Sequence, residues 1–168
     1  MSTLADVFRE LNELRAAGLV RDYAIGGATA VLFYAEPART YDLDVFVLLP
    51  PPDRGTLVSL GPLYDWARAR GFGRDAEHIL VHGVPVPFLP VHNALAEAAV
   101  TTARTLEYNE QPVRVVDPEH LAALAFQAGG ARRRERAWQI LDSGVVDRQR
   151  LRALLREHGM EIAIDEGP

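Results

Sequence analysis

Residues 23–50, YAIGGATAVLFYAEPARTYDLDVFVLLP, constrain this chain more than any other stretch. A short apolar run ends at Ile25. Gly26 and Gly27 follow, then a small-residue segment over 28–34 with the pattern of a one-face helix. A polar loop leads into a second apolar run over 42–49, which carries Asp42 and Asp44 at its start. On a strand, side chains at i and i+2 share a face, so the two carboxylates are expected side by side. Paired like charges cost free energy unless a cation or a shared proton neutralises them. Mg²⁺ takes one or two carboxylates and completes its shell with phosphate oxygens and water. A Gly-Gly turn opening a helix offers backbone N–H groups to an anion. Together these features predict a metal–phosphate site.

The order apolar residue, Gly-Gly, helix, Asp-apolar-Asp-apolar resembles the signature of the nucleotidyltransferase superfamily, the polymerase-beta-like fold. The ArgThr-x-AspLeuAsp run from Arg39 to Asp44 is similar to small bacterial nucleotidyltransferase-like proteins related to the AbiEii abortive-infection toxins. The resemblance continues in GVPVPFLPVHNALAEAAV (83–100) and DPEHLAALAFQAG (117–129). It implies an α/β (α+β) fold, a mixed sheet flanked by helices, with a small helical C-terminal bundle.

The remaining chain divides by pattern. Leu4, Val7, Phe8, Leu11 and Leu14 fall at helical spacing within 2–17, with Gly18 as a stop. A strand is expected over 19–25, a helix over 63–70, and strands over 77–81 and 84–89 joined at His82-Gly83. Pro85 and Pro87 mark the latter as an edge or irregular strand. Asn93 caps a helix over 94–103, and strands over 104–108 and 113–116 flank a turn. Asp117 as cap with Pro118 at the first helical position opens a helix to about 128. Two more helices are expected, over 133–141 and from the Asp147 cap to Gly159. The organisation is a nucleotidyltransferase-like core over 1–116, a helical subdomain over 117–160 and a polar tail over 161–168.

Composition narrows the chemistry. The absence of cysteine removes disulfides, Cys-zinc sites and thiol catalysis. All 18 basic residues are Arg, so no lysine serves as base, Schiff-base former or phosphate clamp. A net charge of −5 argues against a broad phosphate-tracking surface for nucleic acid. With no apolar run of transmembrane length and no basic-then-apolar leader, no membrane association and a cytoplasmic location are expected. His78 and His82 fall four apart on the expected strand, without a third ligand nearby, which disfavours zinc. Trp66 and Trp138 sit at core spacing.

The resemblance implies site roles. Asp42 and Asp44 would hold Mg²⁺ (or Mn²⁺) and carry catalysis. Gly26 and Gly27 would cradle the phosphates of an NTP such as ATP. Arg39 and Arg132 would neutralise charge, and Thr29 either bonds a phosphate or caps the turn. Relatives place a third acid on a later strand, expected within 84–89; here that strand reads VPVPFL and holds none, Pro87 standing about where it would fall. Glu77 on the adjacent strand is the nearest substitute, or else a solvated strand-start residue. Similar proteins carry Gly-Arg-Pro-Lys-Asp where this chain has GGARRRERAW, with Arg132 and Arg133 in the Lys and Asp places.

Two functions follow. One is transfer of NMP from an NTP to a hydroxyl on a protein, a tRNA 3′ end or a small molecule, as in a toxin–antitoxin or abortive-infection system. The other is a degenerate module of the same fold that binds a cognate partner protein or nucleotide without turnover. The oligomeric state is not legible in the sequence.

Overall fold

The computed structural model describes residues 4–34, 43–55 and 57–168. Within that span seven helices and eight strands are laid out in chain order. The main sheet has five strands in the order β6-β2-β1-β8-β7, and three further strands form a separate antiparallel sheet, β3-β4-β5.

Helix α1 (Leu4–Ala16) follows its apolar spacing: Val7, Phe8, Leu11 and Leu14 are buried against the sheet. Full burial of a side chain of this size contributes about 1.5–3 kcal/mol. Gly18, at φ +74°, closes the helix in a conformation that penalises a Cβ. Strand β1 (Asp22–Ile25) then enters the middle of the sheet. It pairs antiparallel with β2 (Val45–Leu48) and parallel with β8 (Gln111–Val115). The buried hydroxyl of Tyr23 on β1 donates to Asn12 Oδ1 at 2.7 Å, tying α1 to the sheet.

Helix α2 (Gly27–Val31) is shorter than its pattern predicts. Beyond it, Leu32, Phe33 and Tyr34 bond three residues back, to Thr29, Ala30 and Val31, a tightened turn rather than continued α-helix. Helix α3 (Gly61–Ala69) carries Pro62 in its first turn. Strands β3 (Gly73–Asp75), β4 (His78–Val81) and β5 (Val84–Val86) form the small sheet; β3 was not expected. His82 and Gly83 both take positive φ, +49° and +80°, the twin requirement of a type I′ hairpin turn. His82 thus lies in the turn, not on a strand face with His78, and its Nε2 meets Glu10 Oε1 at 3.1 Å.

The strand expected over 84–89 is two strands. Residues 84–86 stay in the small sheet, while β6 (Phe88–Pro90) crosses to the edge of the large one beside β2. Proline has no N–H to donate, so it suits such a break. The carbonyls of Pro85 and Pro87 still accept from Leu43 N and Val45 N, at 3.0 and 3.1 Å.

Helix α4 (Ala94–Thr101) packs against β1 and β2 and is capped by Asn93, whose side chain accepts from Ala96 N at 2.9 Å. β7 (Arg104–Tyr108) and β8 close the other side of the sheet through a turn with positive φ at Asn109 and Glu110. Helices α5 (Pro118–Ala128), α6 (Ala131–Asp142) and α7 (Arg148–Glu157) follow, α5 packing against both others. A second apolar cluster sits among them, including Leu95, Ala122, Leu141, Leu151 and Ile164. Ile164 is buried and its carbonyl accepts from Arg148 at 2.7 Å, which anchors the segment after 160. Trp66 and Trp138 pack edge-on against Phe72 and Phe126. No helix among the described residues is long and apolar enough to cross a membrane.

Candidate active site

The strand directions converge on one edge of the main sheet. β1 and β8 run parallel, and β2 and β6 run opposite to them. The ends of β1 and β8 therefore meet the starts of β2 and β6. Gly26 and Gly27 stand at the first end, Asp117 just past the second, Asp44 before β2 and Pro87 before β6.

Asp44 and the glycine pair are locked together. Gly26 N donates to the Asp44 carbonyl at 3.0 Å. A Cβ on Gly26 would fall on the Phe46 ring, 2.7 Å from Cδ2. At Gly27, with φ +57°, a Cβ would overlap the Asp44 carboxylate, with Cγ 2.9 Å away. A side chain at either position would have to displace the Phe46 ring or the Asp44 carboxylate, which favours glycine at both. The carboxylate beside the N-terminus of α2 is also favourably placed in the field of the first-turn N–H groups.

A cleft of about 210 Å³ opens beside this pair. Gly27, Asp44, Phe46 and Leu89 line it from the sheet; Leu121, Leu124, Ala125 and Ala128 line it from α5. Arg133 and Arg136 complete it from α6. Neither arginine makes an ion pair or hydrogen bond among the described residues. Basic side chains in the first turns of a helix oppose its dipole, so an anion in the cleft would relieve them.

Arg132 lies elsewhere. It borders an adjoining groove with Arg134, Trp138 and Asp142, which shares Arg136 with the cleft but does not reach Asp44. The helical period decides this, because adjacent residues are about 100° apart while 133 and 136 share a face. Arg136 carries no motif signal in the sequence; its i, i+3 spacing to Arg133 gains meaning only once α6 is set against α5. Thr29 is 4% exposed, is engaged within the fold and does not line the cleft. Asp42 and Arg39 lie outside the described residues.

The β2–β6 register pairs Val45 with Phe88, so one step back Asp44 stands beside Pro87. The position expected for a third acid is therefore adjacent to Asp44, and it holds a proline. Glu77 is exposed and lies beside Tyr64 and Phe88, outside the cleft. Among the described residues no three acidic, histidine or cysteine side chains group to hold a metal. Among the described residues that line the cleft, the carboxylate is that of Asp44. That fits a Mg²⁺ ion that takes most of its remaining ligands from phosphate and water.

A second polar cluster sits behind the sheet edge. Asp117 caps α5, accepting from His120 N at 2.8 Å, and its two oxygens lie 2.9 and 3.0 Å from His120 Nδ1. Arg150 of α7 reaches Asp117 Oδ2 at 3.1 Å and Glu119 Oε2 at 3.3 Å. Glu119 also accepts from Asp147 N at 2.9 Å. Burial alone would raise the Asp117 pKa, but the hydrogen bonds from His120 and the nearby positive charge outweigh it and hold the carboxyl below its usual value. The cluster ties α7 to the start of α5, one of the two helices that wall the cleft.

The sheet order, the Gly-Gly turn against β2 and the helical wall define a nucleotidyltransferase-like fold. The chain superposes on an antigenic nucleotidyltransferase-like protein from Paracoccidioides brasiliensis with a TM-score of 0.56 and 18% identity, covering 91% of this chain and 84% of that one. It is likewise similar to ANT(2'')-Ia solved in complex with adenylyl-2''-tobramycin, with a TM-score of 0.54 and 14% identity over 94% of this chain and 99% of that one. The solution structure of the antibiotic-resistance factor ANT(2'')-Ia gives 0.51 and 14% identity, covering 92% of each chain. No protein-family model matches the chain, and no curated protein matches it in sequence.

Proposed function

We propose that this protein is a Mg²⁺-dependent nucleotidyltransferase that moves NMP from an NTP to an acceptor hydroxyl. The observation that carries the reading is one cleft in which Gly27 and Asp44 face Arg133 and Arg136. Asp44, with Asp42 of the same sequence motif, would hold the metal. Arg133 and Arg136 would hold the triphosphate as always-charged planar donors. The metal, when bound, supplies charge neutralisation at the phosphates. In the transfer, the acceptor oxygen bonds the α-phosphorus as the bridge to the β-phosphate breaks. Pyrophosphate leaves, and the hydroxyl proton passes to a neighbouring carboxylate or to water. Positioning and charge compensation supply most of the acceleration in such chemistry.

The acceptor is a hydroxyl of a protein, of a tRNA 3′ end or of a small molecule. ANT(2'')-Ia, named with adenylyl-tobramycin, represents the last class. The two guanidinium groups weigh against a polycationic acceptor. The motif likeness to AbiEii-type toxins supports an abortive-infection or toxin–antitoxin role, which we place in the cytoplasm.

A specific observation favours the second reading, a module that binds nucleotide or a partner protein without turnover. Pro87 occupies the place beside Asp44 where a third acid would stand. Labelled NTP separates the two. Label transferred to a macromolecule or small molecule, with release of pyrophosphate and loss in Asp44→Asn, supports the enzyme. Tight Mg²⁺-dependent NTP binding without any turnover supports the module. Absence of NTP binding sinks both nucleotide readings.

A further inference from the structure

The apolar half of the cleft has no role in metal or phosphate binding, and it is built as a slot. Phe46 and Leu89 are direct register partners on β2 and β6, so their side chains stand side by side on one face of the sheet. Opposite them, Leu121, Leu124, Ala125 and Ala128 fall at i, i+3, i+4 and i+7 of α5, a single stripe. Phe46, Leu89 and Leu124 keep part of their surface uncovered, and Ala128 is exposed. Apolar surface left open inside a concavity, beside a few convergent charges, is the form of a small-molecule site.

Resting on the nucleotide reading above, we infer that this slot takes the nucleobase and does not discriminate among the four bases. Its polar side chains among the described residues are Asp44, Arg133 and Arg136, which that reading commits to metal and phosphates. The backbone of β2 is paired on both sides, to β1 and β6; β6 is the edge strand, and its unpaired groups lie in the plane of the sheet, not on the face that carries Phe46 and Leu89. The carbonyls of Leu121, Leu124 and Ala125 are taken up by the helical ladder of α5. What remains is an aromatic ring, leucines and alanines. Every base has a π-face, so stacking and apolar contact hold all four alike, whereas discrimination needs hydrogen bonds to the base edge.

The test is calorimetric titration of the full chain with Mg²⁺ and, separately, ATP, GTP, CTP, UTP and inorganic tripolyphosphate. The four NTPs are expected to bind within about fivefold of one another, and each about tenfold or more tighter than tripolyphosphate, the gain attributable to the base. Ala128→Phe fills the slot from an exposed position; it should erase the advantage of the NTPs while leaving tripolyphosphate unchanged. Phe46→Leu should weaken all four NTPs together and supplies a second reading should the first variant misfold.

One NTP binding more than about tenfold tighter than the rest would overturn the inference, since that is the scale of an edge-reading contact. Tripolyphosphate binding as tightly as the NTPs, or NTP affinities untouched by both variants, would overturn it too, because the base would then lie elsewhere. Failure of every ligand, tripolyphosphate included, would remove the nucleotide reading itself, and the inference with it.

Discussion

The carboxylate of Asp44 occupies the space that a side chain at Gly27 would need. The two residues are far apart in function by name, one a charged ligand and the other a turn. In the fold they are one object, because the strand that presents the carboxylate is hydrogen-bonded to the residue that opens the turn.

Gly27→Ala is therefore expected to act twice. A residue other than glycine at φ +57° costs about 1–2 kcal/mol, and the new Cβ must push the Asp44 carboxylate aside. Urea denaturation should show a loss of at least that size, and Mg²⁺·NTP binding should fall further than the stability loss accounts for. Unchanged NTP affinity in a folded Gly27→Ala protein would separate Asp44 from the ligand.

Asp44→Asn keeps the shape of the side chain and removes its charge. A ligand at about 100 times its Kd stabilises a fold by roughly 2.7 kcal/mol, several degrees of melting temperature for a small domain. Wild type should show that shift with Mg²⁺ and NTP together, and Asp44→Asn should not. An equal shift in the mutant would place the nucleotide away from this carboxylate.

Three arginine variants distinguish the faces of α6. Arg133→Ala and Arg136→Ala should each weaken NTP binding by about tenfold or more, the scale of a lost charge-assisted hydrogen bond of roughly 1.5–3 kcal/mol. Arg132→Ala, on the other groove, should leave the affinity within about twofold of wild type. Equal losses from all three would mean that long-range charge, not contact, draws the ligand.

Stability should fall at alkaline pH. Burial, more than any charge, pushes Tyr23 and Tyr34 up to about 12 from 10.0. The unfolded chain loses these phenolic protons from about pH 10, while the folded chain retains them, so the stabilisation is complete below pH 10 and declines as pH rises toward about 12. Denaturation midpoints across that range, compared with those of Tyr23→Phe, should show a shallower decline in the mutant. A parallel decline would assign the effect to other groups.

At the acid end the sign reverses. Asp117 is held below the ordinary value of 3.8, so it contributes stability above that pH and loses it as pH falls through the lower folded value. Arg150→Met should cost about 1–2 kcal/mol near neutrality, discounted from a fully buried pair because Arg150 is about half exposed, and should make the acid loss shallower, because Asp117 is then held less far below 3.8. Denaturant titrations from pH 6 down to 2 would show it; identical curves for mutant and wild type would make His120 the sole support of Asp117.

Much of this arrangement was written locally. The apolar spacing of α1, the caps Asn93, Asp117 and Asp147, and the Gly-Gly turn are short-range effects that a few neighbouring residues decide. The nucleotidyltransferase-like fold was legible as a resemblance, carried by the order of the Gly-Gly turn, the helix and the Asp-x-Asp strand start. The split of 84–89 into two strands was less visible, since the prolines announced irregularity without saying that the chain would change sheets there. His82 misled for a similar reason: alternation along a strand carried it onto a face with His78, but the strand ends at Val81 and the positive-φ turn begins at His82 itself.

What the sequence determined alone is the sheet-edge pair of a glycine turn and an acidic strand start, because each depends on backbone conformation over two or three residues. Which arginines meet that pair depended on the rotation of α6 about its own axis, and that is set by distant packing of Ile140 and Leu141 into the core. A helix rotated by one residue would have turned Arg132 toward Asp44 and Arg133 away. Only the tertiary structure chose between them.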